Sequence, residues 1–177
     1  METLRLGNVA EVAIPHYTLS DTTLTGYRVP KDTVVMINLM AVHLDPSLWE
    51  NPNSFDPRRH IDSDGQLITN SGSFLPFSAG RRVCAGEALA KVELFLFLSW
   101  MLHRFTFLPS EDGNLPDLKG ENGFTRFPAA YKIRVEKRPN MPPGPRLTSL
   151  PFIGNLMSFD SGESFGEITA SHPWELM

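Results

Sequence analysis

The sequence contains a single cysteine, Cys84, among its 177 residues. One cysteine excludes an internal disulfide framework and a cysteine-rich zinc site. Basic residues are not in excess either: the formal net charge is −4 at pH 7, which gives no electrostatic reason to expect nucleic acid as a partner. With 41% hydrophobic and 20% charged residues, the composition is typical of a globular protein rather than a disordered chain.

Hydrophobic runs long enough to cross a bilayer are missing. The longest run, residues 94–102, has about half of the ~20 residues that a transmembrane helix needs. The N-terminal residues show no basic region followed by an apolar stretch, so we expect no signal peptide. We interpret residues 94–102 as part of a buried helix.

Hydrophobic periodicity and turn residues outline the secondary structure. Residues 87–104 carry apolar side chains on nearly every face of a 3.6-residue repeat, which predicts a helix that belongs in the middle of a larger protein. The Asp-Pro and Asn-Pro pairs in residues 45–64 predict a long meandering loop. Further helices are expected at 2–7 and 38–43, and strands at 9–19, 23–38, 105–108 and 131–135.

The composition changes abruptly at Arg138. The prolines at positions 139, 142, 143 and 145 cannot continue a helix or a central strand. We therefore predict two segments: residues 1–137 are folded, and residues 138–177 form a proline-rich, hinge-like stretch with an irregular tail.

The cysteine lies in the most informative stretch of the sequence, residues 77–86. Gly80 and Gly86 flank it and let the backbone approach a flat ligand closely. Arg82 lies two residues before Cys84, where a guanidinium can pair with an anionic group. A helix is expected after Cys84, and a helix N-terminus stabilises a thiolate, the ligand that a haem iron uses for oxygen chemistry. The alternative is a buried cysteine that acts as a small hydrophobic residue.

The whole pattern, Phe-x-x-Gly-x-Arg-x-Cys-x-Gly, resembles the haem-binding loop of the cytochromes P-450, the haem-thiolate monooxygenases. Leu-Pro-Phe at 75–77 and Gly-Glu-Ala-Leu-Ala at 86–90 are most similar to the microsomal group that hydroxylates steroids and xenobiotics. The resemblance implies a C-terminal fragment of this fold, which is mainly α with a small β-sheet (α+β). It also implies haem b (iron protoporphyrin IX) as the cofactor, with Cys84 as the axial ligand of the iron.

The resemblance extends to a structural network of charged residues. Glu2 and Arg5 are similar to the family's Glu-x-x-Arg helix motif, and their spacing lets the two charges pair on one face of a helix. Phe-Asp-Pro-Arg-Arg at 55–59 is similar to the segment that completes this network in the family, which assigns Arg59 to it. His60 stands where the family usually has an aromatic residue.

Further cofactor-binding residues are implied by the same likeness. Ile-Pro-His at 14–16 matches the position at which microsomal members place a histidine against a haem propionate, so His16 and Arg82 are expected to share the two propionates. Phe77 is expected to pack against the cysteine loop and shield the sulfur. The alternatives are an ordinary surface role for His16 and a plain core role for Phe77.

The activity implied by the resemblance is insertion of one oxygen atom from O2 into a lipophilic substrate such as a steroid, a fatty acid or a xenobiotic. Residues 9–14 and 124–125 are expected to border the substrate. Electrons are expected from an NADPH-dependent reductase. The likeness also implies an endoplasmic reticulum address and membrane association, which no segment of the sequence enforces.

Two departures from the family pattern support a different interpretation. Nothing in the sequence matches the family's long oxygen-binding helix, and residues 142–156 resemble the proline-rich hinge near the amino end of another member. We therefore expect a fusion or a mis-joined product of two neighbouring related genes. The alternative function is a truncated, non-catalytic product that binds haem weakly or not at all.

A hydrolase motif is also present in the tail. Residues 162–166 satisfy Gly-x-Ser-x-Gly, the string of a nucleophile elbow. Because no buried strand precedes it and no acid and histidine follow at a distance, we interpret it as a chance occurrence.

Overall fold

The computed structural model describes residues 1–68, 72–121 and 125–139, together with the backbone of 167–170. The chain divides into two compact units: one is Met1–Cys84 with Asn122–Phe127, and the other is Ala85–Glu121 with Pro128–Met177. The boundary at Arg138 rests on composition and stays a prediction. The hinge-like stretch at 142–156, the Gly-x-Ser-x-Gly string at 162–166 and Phe124 lie outside the described residues.

The first unit is built from short elements. They are helices α1, Glu2–Gly7, and α2, Leu39–His43, with strands β1, His16–Tyr17, β2, Thr22–Leu24, β3, Tyr27–Val29, and β4, Val34–Val35. Strand β1 pairs antiparallel with β4, and β2 pairs antiparallel with β3. Both predicted helices are confirmed. The long strands predicted at 9–19 and 23–38 were wrong in extent, because Pro15 and Pro30 lack a backbone N–H and adjoin the ends of β1 and β3.

The buried side chains of the first unit are mostly polar. The apolar ones are Leu6, Ala13, Leu39 and Trp49, and the polar or charged ones are Glu2, Arg5, Asn8, His43, His60 and Arg126. Arg5 and His43 are the most enclosed large side chains, with 0% of their surface exposed. Because burying a polar group is costly unless it is hydrogen-bonded, these side chains have to satisfy one another.

The second unit contains one long helix and a three-stranded sheet. Helix α3 spans Glu87–Arg104, and strands β5, Phe105–Pro109, β6, Tyr131–Lys137, and β7, Glu167–Ala170, pair antiparallel in that order. The predicted helix and the strands at β5 and β6 are confirmed. Strand β7 corrects the expectation of an irregular tail at its four residues, because their backbone pairs with β6.

The apolar surface of α3 also differs from the expectation. None of its residues is buried, and Phe95 is 69% exposed. The interpretation of residues 94–102 as buried is therefore wrong for this chain, since among the described helices and strands the main neighbour of this 18-residue helix is β5, which follows it directly in the chain. In the part of the chain that the structure describes, no helix has the length and apolar character needed to cross a membrane.

Candidate functional site

The cysteine loop, residues 77–84, turns sharply before its sulfur. The Cys84 N–H donates to the carbonyl oxygen of Phe77 at 3.0 Å and so closes the loop. Ser78 and Gly80 have positive φ values of 65° and 74°. Glycine adopts such a φ without steric cost, so Gly80 suits this turn. Cys84 is exposed at the end of the loop, unlike the buried hydrophobic cysteine of the alternative, and α3 begins three residues later at Glu87.

The other residues predicted to bind a cofactor lie in the same unit. Arg82 is exposed within the loop, and Phe77 is half-buried at its start. His16 is half-buried at the start of β1, and its Nδ1–H donates to the carbonyl oxygen of Ile14 at 2.8 Å, since a carbonyl only accepts. Among the described residues, no hydrogen bond joins His16 to the cysteine loop.

The loop fits a flat, anionic cofactor whose metal takes one ligand from the protein. A Cβ placed on Gly80 would meet no atom within 4 Å, so the space beside the loop is open. The described residues contain no group of three or more histidine, cysteine, aspartate or glutamate side chains that could hold a bare metal ion. The exposed thiol of Cys84 and the exposed guanidinium of Arg82 are side chains that could hold an iron porphyrin with acidic side groups.

A buried ion-pair network centres on Glu2 in helix α1. Arg5 Nε lies 2.9 Å from Glu2 Oε2, and Arg5 Nη2 lies 2.7 Å from Glu2 Oε1. Arg59 Nε lies 3.1 Å from the same Oε1, so the structure brings all three residues together. The side chains of Glu2 and Arg5 are 1% and 0% exposed, which leaves their charges to be compensated by each other rather than by water.

The remaining N–H groups of the two arginines bind backbone carbonyl oxygens. Arg5 donates to the carbonyls of His43 at 2.6 Å and Ser54 at 3.3 Å. Arg59 donates to the carbonyl of Glu50 at 2.8 Å. The network therefore fastens helix α1 to α2 and to the loop that follows α2.

His60 is a fourth side-chain group around the Glu2 carboxylate. Its Nε2 lies 2.9 Å from Glu2 Oε2, and because an ionised carboxylate only accepts, Nε2 carries the proton. The Asp56 N–H also donates to Glu2 Oε1 at 3.1 Å. Burial by itself raises the pKa of Glu2, but the hydrogen bonds from Arg5, Asp56 and His60 outweigh it and lower the pKa to about 2.

His43, the last residue of α2, connects this network to the entry of the cysteine loop. Its Nδ1 lies 3.0 Å from Asn8 Oδ1, and the Leu75 N–H donates to its Nε2 at 2.9 Å. Burial, and then the positive charge of Arg5, lower the pKa of His43 to about 4. The ring is therefore neutral at pH 7.

Sequence reasoning missed the roles of both histidines. The partners of His43 are 35 and 32 positions away along the chain, so no local spacing could indicate them. For His60 one signal was available: a titratable ring directly follows Arg59, at a position where the resemblance leads one to expect an aromatic residue.

Comparison with known proteins identifies relatives for most of the chain. The Cytochrome P-450 family model matches residues 1–135. The steroid 17-alpha-hydroxylase/17,20 lyase of Oryzias latipes is 49% identical over 139 residues, which cover 78% of this chain and 27% of that protein. Cytochrome P-450 2U1 of Mus musculus is 45% identical over 138 residues, which cover 78% of this chain and 26% of that protein. The chain thus spans about a quarter of the length of these curated relatives.

Two solved structures of a zebra fish cytochrome P-450 share this fold. The structure with abiraterone has a TM-score of 0.68 and 43% identity, and the match covers 78% of this chain and 31% of that chain. The structure with progesterone has a TM-score of 0.65 and 44% identity, with 77% and 30% covered. The predicted fold, a C-terminal fragment of the cytochrome P-450 fold, is confirmed, with few helices and small sheets in the described residues. The resemblance to the microsomal steroid and xenobiotic hydroxylases is confirmed as well.

Proposed function

The chain belongs to the cytochrome P-450 family, and on this premise we propose that residues 1–137 are the haem-ligating, C-terminal part of a monooxygenase. The observation that carries the proposal is the exposed thiol of Cys84 at the end of a loop with the pattern Phe-x-x-Gly-x-Arg-x-Cys-x-Gly. Residues 138–177 are, in this proposal, a separate proline-rich hinge-like stretch and tail.

Each predicted site residue has a distinct task in this proposal. Cys84 supplies the thiolate that binds the iron of haem b, and Phe77 shields the sulfur. Arg82 and His16 hold the two propionates, for which an exposed guanidinium offers several N–H donors. When bound, the haem supplies a thiolate-ligated iron suited to O–O cleavage.

The structural network of Glu2, Arg5 and Arg59 contributes rigidity. The contacts of its arginines with backbone carbonyl oxygens, among them those of His43 and Ser54, fix helix α1 against the segments that lead toward the cysteine loop. We assign these three residues no part in the chemistry, because none of them touches the loop itself in the contacts described above.

The proposed reaction inserts one atom of O2 into a lipophilic substrate, with electrons from an NADPH-dependent reductase. A steroid, a fatty acid or a xenobiotic is supported by a relative named for steroid hydroxylation and by the zebra fish structures with abiraterone and progesterone. Val9 and Ile14 are exposed apolar residues at the positions expected to border the substrate. We place the protein at the endoplasmic reticulum membrane by its likeness to microsomal relatives.

The test of this function is a carbon monoxide difference spectrum of the full chain after incubation with hemin and reduction. The proposal predicts a Soret band at the position typical of thiolate-ligated haem, and loss of that band in Cys84→Ala. Because Cys84 is the only cysteine, no other thiol can replace it. A chain that binds no hemin, or a band unchanged in Cys84→Ala, would contradict the proposal.

A second candidate function is a truncated, non-catalytic product that binds haem weakly or not at all. It is favoured by the exposed apolar side chains of α3: Leu89, Val92, Phe95 and Leu102 are each more than half exposed. Exposed apolar surface of this kind promotes association rather than a stable, closed site. The same spectrum separates the candidates, because soluble chain without hemin uptake supports the second and excludes the first.

A further inference from the structure

The hydrogen bonds around His43 allow one protonation state. The Leu75 N–H is a donor, so Nε2 has to accept with its lone pair, and the proton has to be on Nδ1, which donates to Asn8 Oδ1. If the Asn8 amide were reversed, both ring nitrogens would have to accept, which a neutral imidazole cannot do. His43 is therefore a neutral imidazole whose tautomer is fixed from both sides.

The two partners of the ring belong to different parts of the first unit. Asn8 ends helix α1 in a left-handed conformation with φ 38°. Leu75 lies two residues before Phe77, where the cysteine loop starts. The backbone carbonyl of His43 in addition accepts from Arg5 at 2.6 Å. One buried residue thus joins α1 to the entry of the loop.

Aromatic packing holds the same entry. The Phe74 ring lies 5.3 Å from the His60 ring in an edge-on arrangement and 6.1 Å from the His43 ring. Phe74 therefore packs against both histidine rings, and Leu75 is bound to His43 through its N–H. The charged groups that act on His43 are Arg5 and Glu2.

A short series of contacts leads from Leu75 to the sulfur. The Leu75 carbonyl accepts from the Ser78 N–H at 3.1 Å, and the Phe77 carbonyl accepts from the Cys84 N–H at 3.0 Å. A displacement of Leu75 therefore moves the turn that sets the position of Cys84.

We propose that His43 is a positioning residue for the cysteine loop: its neutral ring, held by Asn8, accepts the Leu75 N–H and so fixes the backbone from which Cys84 is presented. The importance of this anchor for ligation rests on the proposed function of Cys84. The anchor itself is a property of the chain without haem, so the two can be tested apart.

The first measurement is the ¹⁵N NMR spectrum of the histidine rings in the haem-free full chain. The proposal predicts that His43 Nδ1 carries the proton and Nε2 does not at pH 7. A protonated Nε2 at this residue would overturn the proposal, because it could not accept the Leu75 N–H.

The second measurement is amide hydrogen exchange in His43→Leu and His43→Gln. Loss of the acceptor in His43→Leu is expected to speed exchange at the Leu75 and Cys84 amides roughly tenfold. In His43→Gln the side-chain amide oxygen can accept the Leu75 N–H, so most of the protection is expected to return. The Ala13 amide, which donates to Ile37 in the same unit at 2.9 Å, serves as the internal control.

Three outcomes of the exchange experiment overturn the proposal: unchanged Leu75 and Cys84 exchange in His43→Leu, equal acceleration at Ala13, or no recovery in His43→Gln. If His43→Leu does not fold, His43→Gln decides: a Leu75 amide that stays protected from exchange supports the proposal, and one that loses its protection overturns it. His60→Phe is the matched control, because it keeps a ring against Phe74 and removes only the side-chain hydrogen bond to Glu2. In this variant the exchange rate of the Leu75 amide is expected to change no more than that of the Ala13 amide.

A hemin titration connects the anchor to the proposed function. His43→Leu is expected to bind hemin roughly tenfold more weakly than the unchanged chain. If the unchanged chain binds no hemin, the proposed function fails while the exchange data still decide on the anchor. If hemin binds equally to both chains although Leu75 is deprotected in the variant, the loop anchor has no role in ligation and the inference fails alone.

Discussion

Glu2 and Arg5 meet in a two-point ion pair, with Nε–Oε2 and Nη2–Oε1 distances of 2.9 and 2.7 Å, and both side chains are almost completely buried. Such a pair does not make a fold more stable than a well-packed apolar pair would. Removing one partner, however, leaves the other charge buried without compensation. The first unit therefore needs both residues: if either one is present, its buried charge has to be compensated by the other.

Arg5→Met is expected to lower the free energy of unfolding by about 3–5 kcal/mol, because Glu2 then remains as a buried charge with fewer donors. Urea unfolding at pH 7 is the measurement. Glu87→Gln is the control, since it removes an exposed ion pair with Lys91 (2.6 Å) and is expected to change stability by less than about 1 kcal/mol. Equal losses in both variants would contradict the account of the network.

Adjacent arginines allow a second matched comparison. Arg59→Lys is expected to cost about 1–2 kcal/mol, because a lysine cannot bind Glu2 and the Glu50 carbonyl with the geometry of a guanidinium. Arg58→Lys is expected to have no measurable effect, since Arg58 is 86% exposed and pairs only locally with Asp56. Thermal unfolding of the two variants tests this, and a larger loss in Arg58→Lys would refute it.

Acid is expected to destabilise the first unit in two stages. The pKa of His43 is about 4 in the fold against an ordinary 6.5, so its contribution is complete above pH 6.5 and about 3 kcal/mol is lost as the pH falls toward 4. The pKa of Glu2 is about 2 against 4.5, so a further loss of about 3 kcal/mol follows between pH 4.5 and 2. In both windows the unfolded chain binds the proton that the folded chain does not.

Urea unfolding at a series of pH values between 7 and 3 measures this effect. His43→Gln is expected to weaken the dependence between pH 6.5 and 4 and to leave the lower stage in place; part of the upper stage remains, because burial also lowers the pKa of His60. A stability that stays constant from pH 7 to 4 in the unchanged chain would show that His43 is not held neutral.

A third pair of neighbours tests the cofactor site. Arg82→Gln is expected to weaken hemin binding roughly tenfold, because a charge-assisted hydrogen bond to a propionate is lost. Arg81→Gln is expected to bind hemin like the unchanged chain, although Arg81 and Arg82 both lie in a one-turn 3-10 helix, Gly80–Arg82, and both are exposed. Hemin titration followed by absorbance is the measurement. Equally weak hemin binding in both variants would contradict a specific contact of Arg82 with a propionate, because loss of any nearby positive charge would then have the same effect.

The sequence predicted elements whose signals are local. Helix α3 was predicted with both ends correct, because Gly86 precedes it and no proline or glycine interrupts its 18 residues. The Glu2–Arg5 pair could be expected because the two residues lie one helical turn apart. Arg59 could be connected to them through the family likeness alone, since it lies 57 positions from Glu2.

Other features could not be predicted because they depend on distant partners. The exposure of Phe95 reflects which segments cover α3, and the apolar pattern of the helix does not contain that information. The tautomer of His43 depends on Asn8 and Leu75, which lie on either side of it in the chain and meet it only in the fold. Strand β7 needed β6 as a partner before its four residues could be recognised as extended.

X-ray absorption at the iron edge of the hemin-loaded chain tests the central claim most directly, because it identifies the atoms bound to the metal. The account predicts one sulfur in the coordination sphere of the unchanged chain and none in Cys84→Ser. A sphere of nitrogen and oxygen atoms alone in the unchanged chain would contradict it.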